Sequence, residues 1–240
     1  MKGVALLSGG KDSVLALHLA KSWGISVCGA IHLTPLNNSD ETDSYMYQSV
    51  GSSVTTFIIN NCLELEHKYV RMIERKPELV DFDYELNEAD EVYDLYLALS
   101  SLKSEIPDLR FVVSGALWSD YQRIRVEKCC ALLGLKSFAP LWHLGQRIML
   151  TSLLSNADLF DFCLIKTAAT GLDSSFIGKN IYDFFYRFVE LSKKVELNVC
   201  GEGGEFESIT LSCPFYKKEL RINGHIQTDK ELGSSQLVRT

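Results

Sequence analysis

The sequence predicts an α/β fold, a parallel sheet flanked by helices, followed by a smaller α+β second domain. Three observations carry that reading. Short apolar, β-branched runs alternate with helix-length segments through the first half of the chain, the pattern of βαβ units. The first run, "KGVALLS", passes through a glycine-rich polar turn straight into an apolar helix. From about Ser137 the alternation becomes irregular, which marks a different architecture.

Taken in order, "KGVALLS" is a buried strand and Asp12 to Trp23 a helix. "ISVCGAIHL" (25–33) is a second strand, and "TPLNNSDETDS" (34–44), with its proline and asparagines, is a loop. A helix is expected from about Ser44 to Cys62, then a short strand around Tyr69 and a loop to Asp83. "EADEVYDLYLALSSLKSEI" (88–106) is a strong helix that Pro107 ends. "RFVVSGAL" (110–117) is a buried strand and "SDYQRIRVEKCCALLGL" (119–135) a helix. Late strands are expected at "VELNVCG" (195–201), "FESITLS" (206–212) and "KKELRIN" (217–223). A boundary near Gly134 gives two domains, residues 1–134 and 135–240.

Composition narrows the function classes. With 240 residues, 46% hydrophobic and 23% charged, the chain can bury a substantial core. No apolar run approaches the roughly 20 residues of a membrane span, and no membrane association is expected. The N-terminus enters a strand at once, so no secretory signal is expected. Seven cysteines, an odd number without C-x-x-C spacing, read as reduced thiols of a cytoplasmic protein. A net charge of −7 argues against direct binding of a nucleic-acid backbone. Of the histidines, His32 ends the second strand, where it would stand near a nucleotide; His18, His67, His143 and His225 have no metal-ligand spacing.

The opening turn, Ser8, Gly9, Gly10, Lys11, Asp12 and Ser13, is built for an anion. Adjacent glycines let backbone approach a ligand, and the amides and dipole of the following helix favour negative charge. Lys11 adds a cation, while Asp12 and Ser13 can cap the helix or reach a magnesium ion. The plain alternative, a tight connection with a polar cap, does not account for Lys11 and Asp12 in the same turn. "SGGKDS" is not the common G-x-x-x-x-G-K-[ST] loop. It resembles the signature of the PP-loop ATP pyrophosphatases, which implies an adenine-nucleotide α-hydrolase-like domain that splits ATP between its α and β phosphates.

A second constellation lies in the helix from Ser119. Val126, Cys129, Cys130 and Leu133 form an apolar stripe at i, i+3, i+4 and i+7. Followed backwards, the stripe reaches Gln122 and Ser119, with Arg123 beside them, so polar residues occupy the inward side of the first turn. In a parallel sheet that turn borders the ligand crevice. The alternative makes Arg123 and Glu127 a solvated i, i+4 pair. A third constellation is "NVCGEGGEFESITLSCP" (198–214), where three glycines crowd Glu202, Glu205 and Glu207. If the chain is extended after Gly204, Glu205 and Glu207 share a face and suit a cationic group; the alternative is a solvated acidic turn.

Together these stretches resemble the diphthine–ammonia ligase family. The resemblance rests on "SGGKDS", "DSYMYQSVG" (43–51), "DEVYDLY" (90–96), "SDYQRIRVE" (119–127), "LGL" (133–135), "PLW" (140–142), "GLD" (171–173) and "CGEGGEFES" (200–208). It runs in order from residue 1 to about 222. It departs at Ser208, where threonine is usual, and over Glu64–Asp83, and the extra C-terminal modules of some fungal relatives are expected to be missing. The resemblance implies that ATP, with magnesium, activates the carboxylate of diphthine on translation elongation factor 2. It implies an acyl-adenylate, pyrophosphate release, and displacement of AMP by ammonia derived from ammonium. Carried over, Ser8 to Ser13 bind the phosphates, Gln122 and Arg123 orient the adenylate, and Glu202 to Glu207 meet the substrate. The quaternary ammonium of diphthine would then sit among Glu202, Glu205 and Glu207 with Phe206 or Tyr121, and the same acidic face would alternatively hold ammonium. Two rivals are a PP-loop enzyme that modifies tRNA and an ATP-binding interaction module without turnover.

Overall fold

The computed structural model of the chain describes residues 1–35, 44, 46–48, 50–77, 83–229 and 233–239. It divides into two compact units, Met1–Trp142 and His143–Thr240.

The first unit follows the alternation of its sequence: β1 (Lys2–Leu6), α1 (Lys11–Ser22), β2 (Ser26–Pro35), α2 (Ser52–Asn61), β3 (His67–Ile73), α3 (Val92–Glu105), β4 (Leu109–Val113), α4 (Asp120–Leu132) and β5 (Lys136–Phe138). The five strands are all parallel, in the order β3-β2-β1-β4-β5. Central β1 is covered on both faces, and Val4 and Ala5 are fully buried. The α3 stripe Leu95, Ala98, Leu99 and Leu102 packs into the same core, with Val126, Cys129 and Cys130 of α4 opposite. Burying each such leucine contributes about 1.5–3 kcal/mol. The chain winds outward from β1 to β3 and then returns to place β4 on the other side of β1. The strand order therefore reverses between β1 and β4, and open α/β sheets bind ligands at the carboxyl ends of the strands flanking such a reversal.

Three stretches of this unit differ from the sequence reading, the first being β5, a strand that the reading did not expect. The helix expected from Ser44 begins only at Ser52, because Gly51 sits at φ 75° as its N-cap. Ser44 instead accepts the amides of Met46 (3.2 Å) and Tyr47 (2.9 Å) and closes a separate turn. Of the loop expected over 34–44, Thr34 and Pro35 complete β2, while residues 36–43 lie outside the described residues, as do 78–82 of the loop after β3.

The second unit contains α5 (Gln146–Ser155), β6 (Asp161–Thr167), 3-10 turns at Ser174–Phe176 and Ile181–Phe184, α6 (Phe185–Lys194), β7 (Phe206–Ser212), β8 (Gly224–Asp229) and β9 (Ser234–Arg239). Its sheet is antiparallel, in the order β7-β6-β9-β8. Phenylalanines fill the core: Phe176 lies 4.4 Å from Phe184 between ring centroids, and Phe188 stacks on Phe206 at 5.2 Å. "VELNVCG" is not a strand. Glu196 takes φ 55° there, the chain turns, and Leu197, Val199 and Cys200 bury one by one. "KKELRIN" is not a strand either; the pairing partners are β8 and β9, further along. Every residue of β8 is exposed, so it lacks the alternation that identifies a strand.

Candidate active site

The opening turn joins β1 to α1 beside the strand-order reversal. Gly9 adopts φ 82°, a conformation natural to glycine. Gly10 caps α1 in extended conformation and, as a glycine, supplies no side-chain cap to the first turn. The Ser13 hydroxyl donates to the Gly10 carbonyl at 3.0 Å, and the Gly10 amide donates to Ser8 Oγ at 3.3 Å. Lys11, only 4% exposed, holds its ammonium 2.8 Å from Asp12 Oδ2. Asp12 Oδ1 is buried without a hydrogen-bond partner. That oxygen suits magnesium, which takes one or two protein carboxylates and completes its shell from phosphate and water. Among the described residues no group of three or more His, Cys, Asp or Glu is assembled as an all-protein metal site.

Three residues that sequence reading did not assign to the turn hold it in place. The Thr55 hydroxyl of α2 donates to the Ser8 carbonyl at 2.7 Å. His32, 2% exposed, donates from Nδ1 to the Leu7 carbonyl at 2.9 Å and has Nε2 3.0 Å from Ser52 Oγ. Burial pushes its imidazole down to about 4, so the ring is neutral at physiological pH. Gly115, just past β4, lies so close to α1 that a Cβ there would stand 2.7 Å from Ser13 N. The available signal for Gly115 was a glycine directly after a buried strand; Thr55 gave none, and His32 only its place late in the second strand.

The first turn of α4 is ordered by Ser119, whose Oγ accepts the Gln122 amide at 3.3 Å as N-cap. The Gln122 side chain donates to the Met46 carbonyl at 3.3 Å. Arg123 pairs with Glu127 (2.8 Å) and Asp120 (2.9 Å), and its guanidinium lies 4.8 Å from the Trp142 ring centroid. The i, i+4 pair is therefore real. Such partly exposed pairs are worth about 0–1 kcal/mol, little to hold the guanidinium against a competing phosphate. The Tyr121 ring carries Arg125, whose guanidinium carbon sits 3.3 Å from its centroid, with Tyr84 at 4.3 Å.

In the second unit the glycine-rich segment is a closed loop. Glu205 accepts the Asn198 amide on Oε1 (3.3 Å) and the Gly203 amide on Oε2 (2.8 Å). Gly201 at φ 75° and Gly204 at φ 81° permit that closure. The extended run starts at Phe206, so Glu205 turns back into the loop while Glu207 lies 3.7 Å from Lys166 across the β6–β7 pair. The arrangement expected from a strand running through both residues is thus replaced by a loop that Glu205 shapes. Phe206, 2% exposed, is part of the aromatic core and not a ring facing a substrate.

A parallel sheet that delivers "SGGKDS" from its first strand onto a helix N-terminus, beside the reversal of strand order, defines a PP-loop-type α/β domain. The chain belongs to the diphthamide synthase family: residues 1–137 match the Diphthamide synthase N-terminal domain and residues 149–237 the Diphthamide synthase C-terminal domain. Three relatives, each named diphthine–ammonia ligase, agree. The Danio rerio protein is 40% identical over 93% of this chain and 87% of its own, and the Homo sapiens protein 38% identical over 93% and 83%. The Schizosaccharomyces pombe protein is 39% identical over 97% of this chain, which spans 37% of that relative's length. A solved Methanocaldococcus jannaschii chain, titled as a predicted subunit of tRNA methyltransferase, covers 92% of this chain and 100% of its own at 17% identity and a TM-score of 0.37, too distant to bear on the site.

Proposed function

We propose that the protein is a diphthine–ammonia ligase, converting diphthine on translation elongation factor 2 into its amide at the expense of ATP and ammonium. The observation that carries this reading is the opening turn, an anion cradle with Lys11 buried and Asp12 half-buried at a helix N-terminus, within a chain matched at both ends by the diphthamide synthase family. The substrate carboxylate attacks the α phosphate of ATP, giving an acyl-adenylate, and pyrophosphate leaves into the turn of Ser8, Gly9, Gly10, Lys11, Asp12 and Ser13. Negative charge grows on that leaving group, where helix amides and Lys11 stabilise it. Magnesium, held by Asp12 Oδ1, would offset phosphate charge. Ser119 sets the first turn of α4, and Gln122 and Arg123 orient the adenylate, Arg123 exchanging its surface partners for phosphate oxygens. In the second unit, the loop closed by Glu205 presents the charge of Glu202 and Glu207 to the quaternary ammonium of diphthine. Ammonia then displaces AMP.

No helix among the described residues is long and apolar enough to cross a membrane. None of the seven cysteines forms a disulfide, as expected of a protein kept in a reducing cytoplasm. The test is direct. The protein is incubated with ATP, magnesium, ammonium and diphthine-bearing elongation factor 2, and nucleotides and amide are measured. AMP and pyrophosphate are expected only with the modified factor. ADP, or binding without turnover, would refute the reading and return the tRNA-modifying or interaction-module alternatives.

A further inference from the structure

Glu91 occupies the N-cap of α3 yet makes no capping hydrogen bond. It is 1% exposed, and its Oε1 is buried without a partner. The Tyr47 hydroxyl is also buried without a partner, and Glu91 is the charged group that acts on it most strongly. Two orphaned polar atoms, close enough for the charge of one to act on the other, call for an occupant, because buried polar groups are ordinarily satisfied. Both oxygens can accept, and the occupant is therefore a small donor. Neighbouring Asp90, fully buried and bonded at 2.5 Å to the Tyr84 hydroxyl, adds negative charge. Arg125 and Tyr121 on α4 also border Glu91, and Ser44 and the Met46 backbone, on the segment before α2, hydrogen-bond to its carboxylate. The balance suits a cation no larger than the space between two side chains.

The place fits the chemistry. In a parallel sheet with helical returns, the starts of α1, α2, α3 and α4 all lie at the carboxyl edge of the strands, so Glu91 and the opening turn share that edge. The Met46 carbonyl, one residue before Tyr47, accepts from Gln122 in the first turn of α4, where the adenylate is proposed to bind.

We propose that Glu91 is the general base for the nitrogen donor: together with the Tyr47 hydroxyl it takes up an ammonium ion and removes one proton from it. The step balances. Ammonium and the Glu91 carboxylate give ammonia and the carboxylic acid. The nitrogen lone pair forms a C–N bond to the acyl carbon, the C–O bond to AMP breaks with its electron pair leaving on AMP, and the remaining excess proton passes to solvent. Burial, reinforced by Asp90, raises the carboxyl to about 7, against the opposing hydrogen bonds of Ser44 and the Met46 backbone and the charge of Arg125, and a base near the working pH is the effective one. The adenylate in this step comes from the function proposed above, on which the inference rests.

The experiment uses the full chain with Glu91→Gln, diphthine-bearing elongation factor 2, ATP and magnesium, with three readouts. Pyrophosphate exchange without a nitrogen donor reports adenylate formation and is expected within about twofold of wild type. The kcat/KM for ammonium is expected to fall about 100-fold. Hydroxylamine, which carries a free lone pair at neutral pH, is expected to restore turnover. Unchanged use of ammonium would overturn the proposal, and so would exchange and ammonium use falling together, the mark of a structural role. Absence of exchange in the wild type would instead refute the ligase reading, and this inference with it. Should Glu91→Gln fail to fold, Tyr47→Phe keeps the carboxylate. It is expected to raise the KM for ammonium about tenfold while sparing hydroxylamine, and an unchanged KM would refute the shared site.

Discussion

Replacing Glu91 by Gln should alter how stability depends on pH, in a direction opposite to replacing His32 by Asn. Burial raises Glu91 from 4.5 to about 7, so the folded protein keeps a proton that the unfolded chain releases. The stabilisation from that proton is fully present below pH 4.5 and is lost as pH rises to about 7. His32 falls from 6.5 to about 4, so the folded protein refuses a proton that the unfolded chain accepts. Its contribution is fully present above pH 6.5 and is lost as pH falls to about 4. Each shift is about 2.5 units, or about 3 kcal/mol. The two slopes oppose one another between pH 4.5 and 6.5, and in the wild type they largely cancel. Relative to wild type, Glu91→Gln should therefore gain about 3 kcal/mol as pH rises from 4.5 to 7. His32→Asn should gain a similar amount as pH falls from 6.5 to 4. Urea unfolding of the three proteins at half-unit pH steps, compared at each pH, reads both differences directly, because all other titrating groups are shared. A Glu91→Gln curve parallel to wild type would show that the carboxyl titrates normally and would refute the reasoning.

Three further outcomes test the site. Gly115→Ala places a Cβ 2.7 Å from Ser13 N and 2.9 Å from the Asp12 carbonyl carbon, both backbone, so the start of α1 must retreat by about 0.7 Å; calorimetry should show ATP affinity reduced at least tenfold, and wild-type affinity would sink the account of the turn. Gly203→Ala puts a Cβ 2.9 Å from Glu205 Oε1 and should open the second-unit loop. With Glu205→Gln, it should raise the KM for diphthine-bearing elongation factor 2 several-fold and leave the KM for ATP unchanged; equal loss of both would count against a substrate role for the loop. Asp12→Asn removes the charge behind the orphaned Oδ1 and should raise the magnesium concentration needed for ATP binding about tenfold, measured by titration at fixed ATP.

Four strands of the parallel sheet were legible because their evidence is local: β-branched runs, helix-length stripes and a proline at position 107 each speak for their own segment, whereas three-residue β5 is too short to show a pattern. The second sheet was only partly legible. β7 keeps apolar residues at Phe206, Ile209 and Leu211, but β8 is exposed throughout and carries no pattern, whereas residues 195–201 carry apolar side chains that bury singly from a turn. The site divides in the same way. "SGGKDS" concentrates its chemistry in six consecutive residues, but Thr55 reaches the Ser8 carbonyl across 47 positions and Gly115 meets α1 from a different strand. Nothing local announces such contacts.

The "DEVYDLY" stretch shows what sequence leaves undetermined and why it matters for the chemistry. Asp90, Glu91 and Asp94 look alike there, as acids opening a helix whose dipole welcomes them. In the fold all three are buried, but their partners differ. Asp94 accepts from Arg71 (3.0 Å), Arg75 (2.6 Å) and the Glu74 amide (3.0 Å), which pins the end of β3 to α3. Asp90 accepts from Tyr84. Glu91 keeps an oxygen without a partner, beside a hydroxyl in the same condition. Of three acids within five residues, then, two serve the fold and one is left with the basicity and the open valence that proton transfer requires. The difference comes from β3, the chain after it and the segment before α2, none of which the motif itself contains.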